Sequence, residues 1–554
     1  MKSNFSVLNR EEIIDQLQTT EFDLLVIGGG ITGAGIALDA VSRGLKVALI
    51  EKNDFASGAS SKSTKLIHGG LRYLKQFDFW LVKEVGTERA IVHKLAPHLV
   101  VPEKMLLPII KNGTYGSWLT SFGLKIYDIL ADVEGEDKRQ MINIEQTLKL
   151  EPLLPDDILE GAGYYAEYRT DDARLTIEVL KTAVKNSVKA LNYCAVTQFI
   201  KEGKKLIGLT AIDSVNNTKF DIHAKYIVNA SGPWVDEVRE LNRSSSKKST
   251  VKKRLHLTKG VHLVFPFEKL PINQSIYFDV PDGRMMFAIP RGKITYVGTT
   301  DTNYFDDINN INVDQVDALY LISAVNNMFP SINLTFEDVQ SSWAGVRPLI
   351  HEEGKSASEL SRKDEIFESK SGLISIAGGK LTGYRKMAER ITDLVYKKLK
   401  KEYDYDWKSN QTENIVLSGG DFENYSAVQK YNQAIFKQLE QYDFSKLDAE
   451  ILVHRYGKQT DQIIEIFQQL SEKNFNVRMA LAELKYCLNN EMVVYPLDFF
   501  VRRTGKLYFD IANIEKVKDP ILKEFSNFFK WDERTLEVHS ESLANIIFTA
   551  SHFE

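Results

Sequence analysis

Residues 65 to 76 read KLIHGGLRYLKQ, which puts His68, Gly69, Gly70 and Arg72 within five positions, between apolar residues. Paired glycines weaken a helix interior, and an ordinary surface loop has no need of this combination. Something must therefore approach the Gly69–Gly70 backbone closely. His68 beside it offers a group that titrates near neutrality, and Arg72 offers a fixed cationic fork. A second glycine cluster lies nearer the N-terminus, where Gly28, Gly30 and Gly33 form GxGxxG between "FDLLVI" and "ITGAGIALDA". In such a loop the first glycine allows the tight turn and the second lets the backbone approach a pyrophosphate. The third packs helix on strand, while the helix start turns the N–H groups of Ile31 and Thr32 toward the anion. Glu51 ends the next apolar run and is followed by Lys52. A carboxylate at that place accepts hydrogen bonds from ribose hydroxyls and repels the extra phosphate of NADP. The expectation is dinucleotide binding.

An NAD site needs little beyond one such unit. FAD is longer, and its isoalloxazine needs glycine-lined backbone far from the first loop. Three later segments have that character. "SSKSTKLIHGG" supplies Ser61, Ser63, Thr64, Lys65 and Leu66 ahead of His68, Gly69 and Gly70. "VNASGPW" brings Ala230, Ser231, Gly232 and Trp234 to the end of a strand. "AGGKLTGYRK" places Gly378, Gly379, Lys380, Leu381 and Thr382 before a long helix, whose N–H groups suit the flavin N1–C2=O edge. Val196, in an earlier strand, joins this set. Together they favour FAD, held without a covalent bond.

The elements that must position these residues follow from apolar periodicity. After a short amphipathic helix at 10–18, "FDLLVIGGG", "ITGAGIALDAVSRG" and "KVALIEK" form a strand–helix–strand unit with a parallel sheet. Residues 80–150 read as mostly helical. They include "GSWLTSFGLKIYDILAD", with Trp118, Leu119, Phe122, Ile126, Tyr127 and Leu130 on one apolar face. "DDARLTIEVLKTAVKNSV" is a further helix, and "KYIVNASGPWVDEV" is a strand entering a Gly-Pro turn. From 255 to 345 the short strands "VHLVFPF", "RMMFAIPRG" and "ITYVGTTD" suggest an antiparallel sheet. "GLISIAGGKLTGYRKMAERITDLVYKKL" is again strand, glycine turn and helix, and beyond 405 the chain reads as helical.

Composition bounds the function. The 554 residues are 43% hydrophobic and 26% charged, as in ordinary globular proteins. A net charge of −5 argues against a dedicated nucleic-acid binder. The run "KKSTVKKR", 247–254, is basic; a solvated loop or a contact with anionic lipid headgroups both accommodate it. Two distant cysteines, Cys194 and Cys487, fit a reducing compartment. The N-terminus lacks an apolar signal region, and no window reaches a membrane-spanning length. There is no HExxH, no cysteine–histidine spacing for a metal, no GxSxG and no GxxxxGK[ST].

The segments "VIGGGITGAGIALDA…RGLKVALIEK", "SSKSTKLIHGGLRYL", "TDDARL", "VNASGPWVDE", "GTTDTNY", "WAGVRPL" and "GGKLTGYRKMAE" resemble those of the FAD-dependent glycerol-3-phosphate dehydrogenase family. That family lies within the D-amino-acid-oxidase-like flavoproteins. The match runs in order from about 20 to 400, and "DFFVRRTGKL" is similar to the family's helical domain. The resemblance implies oxidation of sn-glycerol 3-phosphate to dihydroxyacetone phosphate, with electrons passed to the membrane quinone pool. It also implies a cytoplasmic protein attached peripherally to the inner face of the cell membrane. The oligomeric state, a homodimer included, is left open. Nothing fits the EF-hand loops of mitochondrial members. The insertion typical of relatives that reduce O2 to peroxide is also missing, although a glycerol-3-phosphate oxidase, or another amine or alcohol flavin oxidase, stays as the alternative.

For such a substrate the residues divide by chemistry. Arg72, Arg347 and Lys380, each beside glycine or small residues, are expected to gather the phosphate dianion. Tyr73 and Thr382 are expected as hydrogen-bonding neighbours. Removing the hydroxyl proton while hydride leaves C2 requires a base, for which His68 and His262 both qualify. The expected fold is α/β with an α+β cap. A discontinuous Rossmann-like FAD-binding domain spans 20–90, 150–240 and 345–400, a mixed or antiparallel-sheet substrate cap spans 91–149 and 241–344, and an all-helical C-terminal domain spans 405–554.

Overall fold

The computed structural model describes residues 4–67, 79–111, 113, 138–243, 255–351 and 364–553, with side chains from 83 onward in the second range. His68, Gly69, Gly70, Arg72 and Tyr73, the apolar face at 118–130 and the basic run 247–254 lie outside the described residues.

Two sheets organise the first 400 residues. In the first, the strands run in the order Asp364–Glu368, Ile374–Gly378, Thr218–Asn229, Glu21–Ile27, Val47–Ile50 and Lys189–Leu191. From Ile374–Gly378 to Lys189–Leu191 the pairing is parallel. Glu21–Ile27 and Val47–Ile50 are buried almost throughout, as a sheet covered on both faces requires. Helices Ile31–Ser42, Asp172–Lys185 and Tyr384–Tyr403 pack in series on this sheet. The register places Ile27 opposite both Ile50 and Asn229, so the loops after these strands leave from one edge. That carboxyl edge is where open α/β sheets bind ligands.

The second sheet is antiparallel except where Ser275–Asp279 runs parallel to Val101–Ile110. Near one end of it Leu255–Pro266 is flanked by Ser341–Ile350 on one side and Ile294–Gly298 on the other. Beyond residue 405 every described regular element is helical, from Tyr425–Leu439 to Glu533–Thr549. Val453, Phe467, Leu484, Phe499, Val517 and Phe525 of these helices share one core with Met105, Tyr165, Tyr296 and Trp343 of the second sheet.

The boundaries differ from those expected at four places. Leu66–Ile67, Leu159–Arg169 and residues 345–350 belong to the second sheet, while residues 91–100 pack in the first core. Leu159–Arg169 pairs along one edge of Val101–Ile110 and Ser275–Asp279 along the other, which puts all three in the second sheet. Val101–Ile110 itself corrects the helical reading of 80–150. It carries Pro102 and Pro108 in an apolar run too short for periodicity to separate strand from buried helix.

Candidate active site

A cavity of about 1020 Å³ lies between the carboxyl edge of the first sheet and one face of the second. Gly28, Gly30, Ile31 and Thr32 form its wall at the start of the helix Ile31–Ser42. Gly28 has φ +116°, and a Cβ there would lie 2.5 Å from the Ala230 carbonyl oxygen. Gly33 does not reach the cavity. A Cβ on it would lie 1.9 Å from the Gly28 oxygen, so its role is helix-on-strand packing. Glu51 and Lys52 line the next stretch of wall. The Glu51 carboxylate accepts from Gly29 N at 2.7 Å and from Asn53 N at 2.9 Å, and burial raises its pKa against the pull of these bonds. Lys52 Nζ donates to Asn309 Oδ1 at 3.0 Å and sits 4.1 Å over the Trp234 ring.

The other expected cofactor segments reach the same space. Ala230, Ser231, Gly232 and Trp234 line it from the strand Thr218–Asn229, and Val196 from the neighbouring hairpin. Gly378, Gly379, Lys380, Leu381 and Thr382 line it from the turn that opens the helix Tyr384–Tyr403. Ser63, Thr64 and Leu66 line it from the loop between the sheets.

Two residues of that loop do something else. Ser61 is buried and turned to the Gly58 carbonyl. Lys65 has φ +57°, which swings its side chain back into the protein. Its Nζ lies 2.5 Å from Asp172 Oδ1 and 3.0 Å from Ser61 O. Asp172 also accepts from Ser63 N at 2.9 Å, so this buried pair shapes the loop and leaves the cavity wall to its neighbours.

The opposite wall comes from the second sheet. Arg347, on Ser341–Ile350, donates from Nη2 to Thr299 Oγ1 at 2.9 Å. Its Nη1 donates to the Thr300 carbonyl at 3.1 Å and to Asp301 Oδ1 at 3.3 Å. All four residues line the cavity. The guanidinium lies across Gly260, where a Cβ would come within 2.2 Å of Nη2. His262 stands behind this wall. Its ring is fully buried and stacked on Trp343 at 4.7 Å, and Nε2 shares a hydrogen bond of 3.0 Å with Thr64 Oγ1. Burial, then Arg347 and Lys65, hold its pKa well below the ordinary value, so the imidazole is neutral at neutral pH. His262 does not itself line the cavity; among the described residues its hydrogen bond to Thr64 connects it to that wall.

Residues that sequence reasoning did not single out also line the cavity. Tyr165 and Glu167 alternate along Leu159–Arg169, and Tyr277 and Phe287 stack at 4.3 Å. Lys62 lines it as well, its pKa lowered to about 8 by burial and by Arg502. The period-two pattern of Leu159–Arg169 was available in the sequence. The partner strand that turns Tyr165 inward was not.

The cavity fits FAD on its own geometry: oriented N–H groups at a helix start, a turn at Gly28 whose φ and contact with Ala230 leave no room for a side chain, and a carboxylate at the second strand end. Comparison with known proteins agrees. The model of FAD-dependent oxidoreductases matches residues 23–385, and that of the C-terminal domain of alpha-glycerophosphate oxidase matches 410–536. The aerobic glycerol-3-phosphate dehydrogenase of Bacillus subtilis is 49% identical over 554 residues, 99% of each chain. That of Staphylococcus haemolyticus is 48% identical over 95% of this chain and 94% of its own. The glycerol-3-phosphate dehydrogenase from Bacillus halodurans complexed with FAD is 42% identical, with a TM-score of 0.83 and 99% of each chain covered. The Mycoplasma pneumoniae L-alpha-glycerophosphate oxidase, at 20% identity, TM-score 0.54 and 71% coverage of this chain, shares the fold. The chain therefore belongs to the FAD-dependent aerobic glycerol-3-phosphate dehydrogenase family.

Proposed function

We propose that the protein oxidises sn-glycerol 3-phosphate to dihydroxyacetone phosphate and passes the electrons to membrane quinone. The observation that carries this reading is one cavity with two chemistries: glycine loops on the carboxyl edge of a parallel sheet, faced by Arg347 on the cap. Bound FAD supplies the hydride acceptor for C2. The chain does the rest.

Arg347, Lys380 and Arg72 gather the phosphate dianion, with Thr382 and Tyr73 as hydrogen-bonding neighbours. Arg347 is held in its working direction by Thr299, Thr300 and the Asp301 carboxylate before substrate arrives, which lowers the ordering cost of binding. His68 takes the hydroxyl proton or shares that role with the Thr64–His262 pair, whose imidazole is kept neutral by burial. No described helix is long and apolar enough to cross a membrane, so delivery to quinone calls for attachment at the inner membrane face.

The test is anaerobic titration with glycerol 3-phosphate while the flavin absorbance is followed. Bleaching to the two-electron level is expected, and an unchanged spectrum sinks the reading. The matched C-terminal model carries an oxidase description, so peroxide formation is to be compared with reduction of a quinone analogue. Faster turnover with O2 would replace the dehydrogenase with an oxidase. Activity recovered only from the low-salt soluble fraction would remove the membrane contact.

A further inference from the structure

No described residue beyond Met387 lines the cavity, yet the C-terminal domain holds the turn at its edge. That turn follows Val47–Ile50. On its inner side it grips the glycine loop, through the Glu51 carboxylate on Gly29 N and through Ala56 N, which donates to the Gly29 carbonyl at 3.0 Å. Its other side is Asp54, buried and 449 positions away in sequence from the partner that forks onto it. Arg503 Nη1 lies 2.7 Å from Asp54 Oδ2, and Nη2 lies 2.9 Å from Oδ1. Arg502 Nε donates to Oδ2 as well, and Asn192 Nδ2 to Oδ1 at 3.0 Å.

Both arginines sit on the widened helical turn Asp498–Arg503 of the C-terminal domain. Each is anchored there, Arg502 on Asp498 at 2.6 Å and Arg503 on the Glu491 carbonyl at 2.8 Å. Burial raises the Asp54 pKa, but Arg503 and Arg502 outweigh it and bring it down to about 2. A buried carboxylate with a fixed two-pronged partner is a rigid point, and here that point lies three residues from Glu51.

We propose that the C-terminal domain is a cofactor-retention element acting through Asp54: Arg502 and Arg503 clamp the Glu51–Ala56 turn in the position in which Glu51 and the glycine loop hold FAD. All three are positioning residues and touch no reacting atom. The domain's part in the enzyme is then to set how tightly FAD is held, at a distance.

The test is FAD binding by the full-length protein, stripped of flavin and titrated with it by fluorescence quenching. No substrate is used, so a failure here leaves the proposed reaction standing. Arg503→Lys keeps the charge and removes the fork. It is expected to weaken FAD binding on the order of 10-fold, as losses at supporting contacts do. Arg503→Gln is expected to weaken it further, and adding Asp54→Asn to Arg503→Gln should cost little more, because the pair acts as one.

The control is Glu483→Gln, which breaks buried pairs with Arg455 and Lys506 inside the C-terminal domain and touches nothing in the turn. It should lower the melting temperature and leave the FAD dissociation constant unchanged. Wild-type FAD affinity in Arg503→Lys overturns the proposal. So does an equal loss of affinity in Glu483→Gln, since the effect would then be general destabilisation. If Arg503→Gln does not fold, Arg503→Lys against Glu483→Gln still decides.

Discussion

The two walls of the cavity are built on different terms. On the parallel-sheet side the contacts come largely from backbone: the turn at Gly28, the helix start at Ile31 and Thr32, and the Gly378–Gly379 turn. On the cap side they come from side chains, with Arg347 lying over Gly260 and Thr64 hydrogen-bonded to His262 behind it. A backbone wall tolerates no new atom, whatever charge Glu51 and Lys380 bring beside it. A side-chain wall tolerates small shifts but depends on each charge. Lesions in the first side's backbone should therefore cost cofactor, and lesions in the second side's charges, turnover.

The largest effect is expected on the backbone side. Gly28→Ala would place Cβ 2.5 Å from the Ala230 oxygen at a left-handed φ, adding roughly 1–3 kcal/mol of strain to the overpacking. Purified protein should carry little or no FAD and melt earlier. Full flavin content would erase the contrast between the walls.

Arg347→Ala should do the opposite, retaining FAD while kcat/KM falls about 10²- to 10³-fold, as for loss of a fixed charged donor. Gly260→Ala sharpens the point, because it leaves the charge and moves the guanidinium. A fall of about 10-fold, concentrated in KM, is expected from steady-state kinetics.

A pH dependence of stability follows from three buried histidines. Burial lowers the pKa of His98 and His262 well below the ordinary value, and that of His454 to about 3. Each protonates in the unfolded chain first, so stability is full above about pH 6.5 and falls as pH drops below it. Each histidine costs up to about 1.4 kcal/mol per pH unit there. Thermal unfolding from pH 7.5 to 5 should show the loss, and His262→Gln should flatten part of it. The smallest effect is expected from Thr64→Val, a few-fold loss of kcat with FAD affinity unchanged. A null result there would take His262 out of proton transfer.

The glycine loop and Glu51 were legible because the backbone they require is written in adjacent residues. Arg347 could be singled out for its glycine-flanked, apolar setting, though not its Thr299–Asp301 partners, which only sheet pairing brings near. The direction of the Lys65 side chain was hidden for the same reason. A cation in a hydroxyl-rich loop looks like a ligand contact until Asp172, far away in sequence, folds against it. Asp54 carried no signal at all, since what distinguishes it is a pair of arginines near the end of the chain. Local backbone demands show in sequence, and charge partnerships across domains do not.

The parallel order of the first sheet also fixes a schedule. Glu21–Ile27 emerges early in synthesis, but its inner neighbour Thr218–Asn229 comes some 200 residues later, and Ile374–Gly378 later still. Until then the strand presents an unpaired edge, apolar from Leu24 to Ile27, the kind of surface on which nascent chains associate wrongly. The enzyme cannot assemble its flavin cradle piecemeal from the N-terminus. Its folding must wait for the last third of the chain, and chaperones that guard the first strands in that interval should govern its yield.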